Sequence, residues 1–109
     1  MKTGFTIRKV SKKQGKKNNK IAKIKSNLPL VCAICGREVN SLSELDTIHL
    51  LPKSIYPEHY TNPKNLAGAH RFPCHYRYDN DLDFRKKQKH LIERVKEFDE
   101  LAANQYFDL

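Results

Sequence analysis

An α+β fold built on a small metal-stapled core is what the sequence predicts, and three features predict it. Cys32-x2-Cys35, His49, Asn65, His70-x3-Cys74 and His75 follow one another within the middle of a 109-residue chain. Two short apolar runs, Leu45–Leu51 and Leu66–Ala69, are bounded by proline and polar residues and read as strands. The C-terminal quarter repeats apolar residues at helical spacing.

The chain is long enough for one domain, and only part of it has the apolar content for a core, so a staple is expected. Three cysteines cannot all pair in disulfides, and no apolar run near the N-terminus resembles a signal peptide. Metal ligation in an intracellular, cytoplasmic setting is the expected use of the thiols. No run approaches the roughly 18 apolar residues that a membrane span requires.

Residues 1–27 carry ten Lys or Arg and no acid, whereas the remaining residues nearly cancel, so the formal net charge of +9 resides in this segment. Its glycines and polar centre give it little to bury, which predicts a flexible, disordered basic arm. Lys9, Lys12, Lys13, Lys16, Lys17 and Lys20 suit a polyphosphate, whose neutralisation releases counterions. A solubilising tail is the competing reading of the same run.

An ordered domain is expected over 28–82. In VCAICG the two thiols stand three positions apart and Gly36 follows, the turn in which backbone amides point at sulfur. LDTIHLLPKS predicts a strand ended by Pro52, then a polar loop with Tyr56, Pro57, Tyr60 and Pro63. Asn65-Leu-Ala-Gly-Ala predicts a second strand, antiparallel to the first. CHYRYDND predicts a short helix with Pro73 near its start. Over 83–109, Leu91, Val95, Phe98 and Ala102 recur at steps of four, three and four, which predicts an amphipathic helix packed on the domain and capped by Asp81 or Asp83. His90 in that helix has no visible partner and reads as a surface histidine.

The knuckle, the His49-x2-Pro52 element, the Asn65-Leu66 pair and Cys74-His75 together resemble the HNH nucleases, over about residues 30–82. The resemblance implies their ββα-metal fold, a two-stranded hairpin, a loop and a helix; with no acid before His49, it is nearest to phage recombination nucleases of the NinG type. It implies hydrolysis of phosphodiester bonds in DNA, in phage recombination or other DNA processing. His49 matches the general base, Asn65 the residue that ties the loop and keeps His49 oriented, and His75 a ligand of a catalytic Mg²⁺ or Mn²⁺. Imidazole suits the base because its ordinary pKa of about 6.5 leaves much of it neutral in the cell. Lys53, Arg71 and Arg77 lie near this site and could hold phosphates. A junction-cutting or double-strand-cutting role favours a homodimer.

Two departures bear on the ligands. Many members place an Asp directly before the base, where this chain has Ile48. Asp79 is expected to take that ligand role, since it falls four residues after His75 on one helix face. Asp46 is a third candidate, but residues 46 and 49 face opposite sides of a regular strand, so it serves only if the strand bulges. The second departure is Arg71, which stands where the family's third structural cysteine belongs. One inserted residue in the turn brings His70 into that role, and Cys32, Cys35, His70 and Cys74 then form a closed Cys₃His zinc set. A catalytically inactive, zinc-stapled nucleic-acid-binding or assembly protein is the alternative, and Ile48 is its main argument. RNA stays open beside DNA as the substrate.

Overall fold

In the computed structural model, residues 12–109 are described, with side chains from Gly15 onward. Helix α1 (Lys12–Ser26) is followed by a two-stranded antiparallel sheet, β1 (Leu45–His49) and β2 (Leu66–His70). A turn over Arg71–His75 leads into α2 (Tyr76–Asn80), then α3 (Leu82–Lys86) and α4 (Lys89–Tyr106). The α+β class is as expected. No helix among the described residues is long and apolar enough to cross a membrane.

The strands pair without a bulge, Leu45 opposite His70 through His49 opposite Leu66. Gly68 is required by close packing rather than by backbone conformation: a Cβ there would come within 2.8 Å of Leu45 Cδ1. Leu45, Ile48, Leu50 and Leu51 are fully buried against Tyr78 from α2, Leu91 and Val95 from α4, and Phe107. Each such aliphatic side chain contributes about 1.5–3 kcal/mol by leaving water. The Tyr78 hydroxyl donates to Leu50 O at 2.8 Å, so even the polar tip of this core tyrosine is satisfied.

Two expectations need correction. The arm read as flexible is helical from Lys12 to Ser26, and its residues 1–11, Lys9 included, lie outside the described residues. Lys, Gln and Ala are good helix formers, and half-buried Ile21 and Ile24 give α1 an apolar side that composition alone did not reveal. The C-terminal segment is two helices: α3, capped by Asp81 whose Oδ1 accepts from Phe84 N at 3.1 Å, and α4. His90 is exposed, as expected of a surface histidine, and donates from Nε2 to Ala33 O at 2.6 Å.

Within α4, Asp99 leaves helical geometry (φ −161°, ψ 82°) and starts the helix afresh, its Oδ1 accepting from Ala102 N at 3.0 Å. Its Oδ2 pairs with His59 Nε2 at 2.8 Å, which fastens the 50–64 loop to α4. The His59 hydrogen bond, with help from Ala102 N–H, holds the Asp99 carboxyl below its ordinary 3.8. A depressed carboxyl stabilises the fold at neutral pH and loses that contribution as pH falls through the folded value. Asp99→Ala is accordingly expected to lower stability by about 1–2 kcal/mol near pH 7, with the deficit shrinking in strong acid, as read from urea midpoints.

Candidate functional site

Two clusters of chemistry-bearing side chains flank the sheet. The first is built on the knuckle. Gly36 takes a left-handed φ of 78°, which turns the chain so that Cys32 N donates to Arg37 O at 2.8 Å and Gly36 N to Cys32 O at 2.9 Å. Ala33 N then donates to Gly68 O at 2.8 Å, laying the knuckle along β2. His70 at the end of β2 and Cys74 at the start of the α2 turn complete the group.

The ligand atoms of Cys32, Cys35, His70 and Cys74 all lie within 4.8 Å of one another. His70 Nδ1 is 3.4 Å from Cys35 Sγ and 4.0 Å from Cys74 Sγ. Ligands on a tetrahedral zinc, with bonds of about 2.0–2.3 Å, stand about 3.5 Å apart, so the set has the spacing and the donors to hold a structural zinc. His70 Nε2–H donates to Glu38 O at 3.1 Å, which presents Nδ1 to the thiols. Burial raises the Cys32 thiol, but amide N–H groups of Cys35, His70 and Ile34 aimed at its sulfur outweigh that and bring it to about 6. Cys74 is pushed the other way, to about 12, by burial and by the two neighbouring sulfurs. Cys32 is thus held toward the thiolate, the form that ligates a metal.

The second cluster lies in an open cleft of about 510 Å³ lined by Thr47, His49, Lys53, His75, Asp79 and Arg85 among others. His49 ends β1, and its Nε2–H donates to Tyr60 O at 3.0 Å, leaving Nδ1 as the lone-pair nitrogen. The Tyr60 ring stacks on the imidazole, centroids 5.0 Å apart and planes within 6°. Lys53 Nζ lies 4.4 Å from the centre of the same ring. Burial dominates the His49 environment and holds its pKa below 6.5.

Asn65 is fully buried and makes the loop that carries Tyr60. Its Oδ1 accepts from Leu51 N at 2.8 Å, while Nδ2 donates to Leu51 O at 3.0 Å and His59 O at 3.1 Å. Asn65→Ala strands those three backbone groups and is expected to cost about 3 kcal/mol or more, visible as a large fall in melting temperature.

His75 stands between two carboxylates. Nδ1 meets Asp46 Oδ2 at 2.9 Å and Nε2 meets Asp79 Oδ2 at 3.0 Å. The Asp79 bond, opposed by burial and helped by Asp46, raises the imidazole to about 8. Asp46 also pairs with Arg71 at 3.1 Å; burial raises its carboxyl, and the His75 and Arg71 contacts bring it below the ordinary value.

The expected pairing of His75 with Asp79 is therefore present. Asp46 reaches His75 from a strand with no bulge, but it does not line the cleft that holds His49. Ile48 is fully buried in the core and offers no ligand. Arg71 stays largely exposed beside Asp46, and Arg77 packs its guanidinium 4.1 Å over the Phe84 ring, outside the cleft. On α1, Lys16 and Lys20 are exposed and Lys17 is half-buried; the side chains of Lys12 and Lys13 lie outside the described ones. Tyr60 OH donates to Asn18 Oδ1 at 3.4 Å, so α1 runs close to the cleft.

Sequence reasoning missed Tyr60 as the partner of His49 and Arg85 as a member of the cleft. Tyr60 acts through its carbonyl, which no side-chain pattern reveals, and Arg85 sits in an ordinary-looking RKK run. No protein-family model, curated protein or solved structure matches this chain.

Proposed function

We propose that the chain is a metal-dependent endonuclease of the HNH type that hydrolyses phosphodiester bonds in DNA. The observation that carries the reading is the placing of His49, its Nε2–H fixed on Tyr60 O, in one cleft with the His75–Asp79 pair. An imidazole so held keeps a lone pair on Nδ1 and takes the proton of a water that attacks phosphorus. Asn65 supports this indirectly, by fixing the loop on which Tyr60 O sits.

His75 Nε2 and Asp79 Oδ2 would hold the divalent ion. Their 3.0 Å separation suits neighbouring ligands on an octahedral ion with bonds of about 2.1 Å, as Mg²⁺ prefers, and the nitrogen also admits Mn²⁺. Asp46 on Nδ1 would orient the ring from behind. Such an ion, when bound, supplies charge stabilisation at the phosphoryl and leaving oxygens. Exposed Lys16 and Lys20 on α1, with Lys53 at the cleft, supply sequence-independent attraction to phosphates.

One observation favours the second reading, an inactive zinc-stapled nucleic-acid-binding protein: Ile48 is sealed in the core, and the cleft side of His75 carries a single carboxylate. Incubating supercoiled plasmid and branched DNA with the zinc-loaded protein separates the two. The nuclease reading expects nicking that requires Mg²⁺ or Mn²⁺ and stops on chelation of that ion. Tight binding without cutting in either ion would establish the second reading.

A further inference from the structure

Arg85 is only 8 % exposed, although it carries a permanent charge. Its Nε–H donates to Tyr78 O at 2.8 Å and one Nη2–H to Asp79 O at 3.1 Å, which also satisfies carbonyls at the end of α2. The Tyr106 ring lies 4.3 Å from the guanidinium carbon. All three partners are neutral, and no carboxylate forms an ion pair with Arg85 among the described residues. A guanidinium drawn this far from water without a counter-charge is unfavourable unless an anion completes it.

The uncompensated charge faces somewhere specific. Arg85 lines the cleft that holds His49, His75 and Asp79, and its Nη1 has no hydrogen-bond partner among the described residues. Thr47, another residue of the lining, carries the one buried side-chain polar atom without a partner among the described residues, its Oγ1.

We propose that Arg85 is the phosphate-holding residue of the cleft, its free guanidinium edge receiving the non-bridging oxygens of a phosphodiester. The side chain is already fixed by two backbone carbonyls and a ring face, so little rotamer freedom remains to be lost when the anion docks. A fork of N–H donors matches phosphate oxygens as no ammonium does. Choosing a phosphodiester over another oxyanion rests on the nuclease reading, in which the bond to be cut lies between His49 and the His75–Asp79 pair.

The test separates the two ideas because it reads binding without cutting. The dinucleotide dTpdT is titrated into the full, zinc-loaded chain without Mg²⁺ or Mn²⁺ while the Arg85 Nε–H resonance is followed by NMR. Its uncharged methylphosphonate analogue is the control. A saturable shift with dTpdT, absent with the analogue, is expected. Arg85→Lys, which keeps charge and loses the fork, is expected to weaken binding about tenfold, and Arg85→Met to abolish it. Zinc content and spectral dispersion report whether each variant folds, and if neither does, the wild-type titration decides alone. An Arg85 resonance indifferent to saturating dTpdT, or a folded Arg85→Met that binds like wild type, overturns the proposal. A chain that binds dTpdT through Arg85 and never cuts plasmid keeps the proposal and removes the nuclease; one that cuts without any Arg85 response does the reverse.

Discussion

A Cys32→Ser chain is expected to lose its zinc and its cooperative fold together. Cys32 is 1 % exposed, and three amide N–H groups converge on its sulfur, so this thiol is the anchor of the Cys₃His set. Around it the regular structure is thin: a two-stranded sheet, which alone is marginal in water, and an isolated bridge between Val31 and Glu38. The zinc free energy of such sites, about 10–16 kcal/mol, is as large as the whole stability of a typical domain, about 5–15 kcal/mol. A serine oxygen keeps company with the amides but is a poor ligand for zinc. The measurement pairs metal content, expected near one zinc per wild-type chain and near none in the variant, with thermal melting by circular dichroism. Prolonged chelation of the wild type is expected to give the same unfolded signal. A folded, zinc-free variant would show that the core suffices without the metal.

How much of this was legible in the sequence differs from residue to residue. The Cys₃His group was, because a turn that aims two thiols at one ion constrains the spacing of Cys32 and Cys35, and the family resemblance implies His70 and Cys74 as the pair that closes the set. His75 and Asp79 were, because a four-residue step on a helix places side chains on one face whatever surrounds it. The alternation of strand faces set Asp46 apart from His49, and Asp46 indeed does not line the His49 cleft, but it gave no sign of the contact with His75. That argument compares it with His49 on the same strand, whereas its partner His75 comes from the following turn and meets the strand at its side. Tyr60 and Arg85 were invisible for a deeper reason. One contributes a backbone carbonyl, and the other is buried by carbonyls of a helix end, so both depend on tertiary placement alone. The helical state of Lys12–Ser26 was hidden because its half-buried isoleucines, Ile21 and Ile24, are too few to print a pattern on a lysine-rich run.

His49→Ala is expected to lower metal-dependent DNA cleavage by about 10²–10⁴-fold, the usual worth of a positioned general base. Zinc content should be unchanged, because His49 belongs to neither the Cys₃His set nor the fully buried core. Binding to DNA should also persist, since the cationic groups are elsewhere. The pH profile carries a sign that a structural histidine would not reproduce. A base must be neutral to act, and burial lowers the His49 pKa, so the acid limb of the wild-type rate should fall below 6.5 rather than above it. A divalent ion nearby would push the limb further down, because a positive neighbour disfavours imidazolium. His75, raised to about 8 by its two carboxylates, is protonated at neutral pH and must release that proton before an ion can take Nε2. Metal affinity should therefore rise with pH through that region, and rates at saturating metal should lose this second limb while keeping the first. Cleavage in His49→Ala equal to wild type, with the same pH profile, would remove His49 from the chemistry and leave the cleft as a binding site.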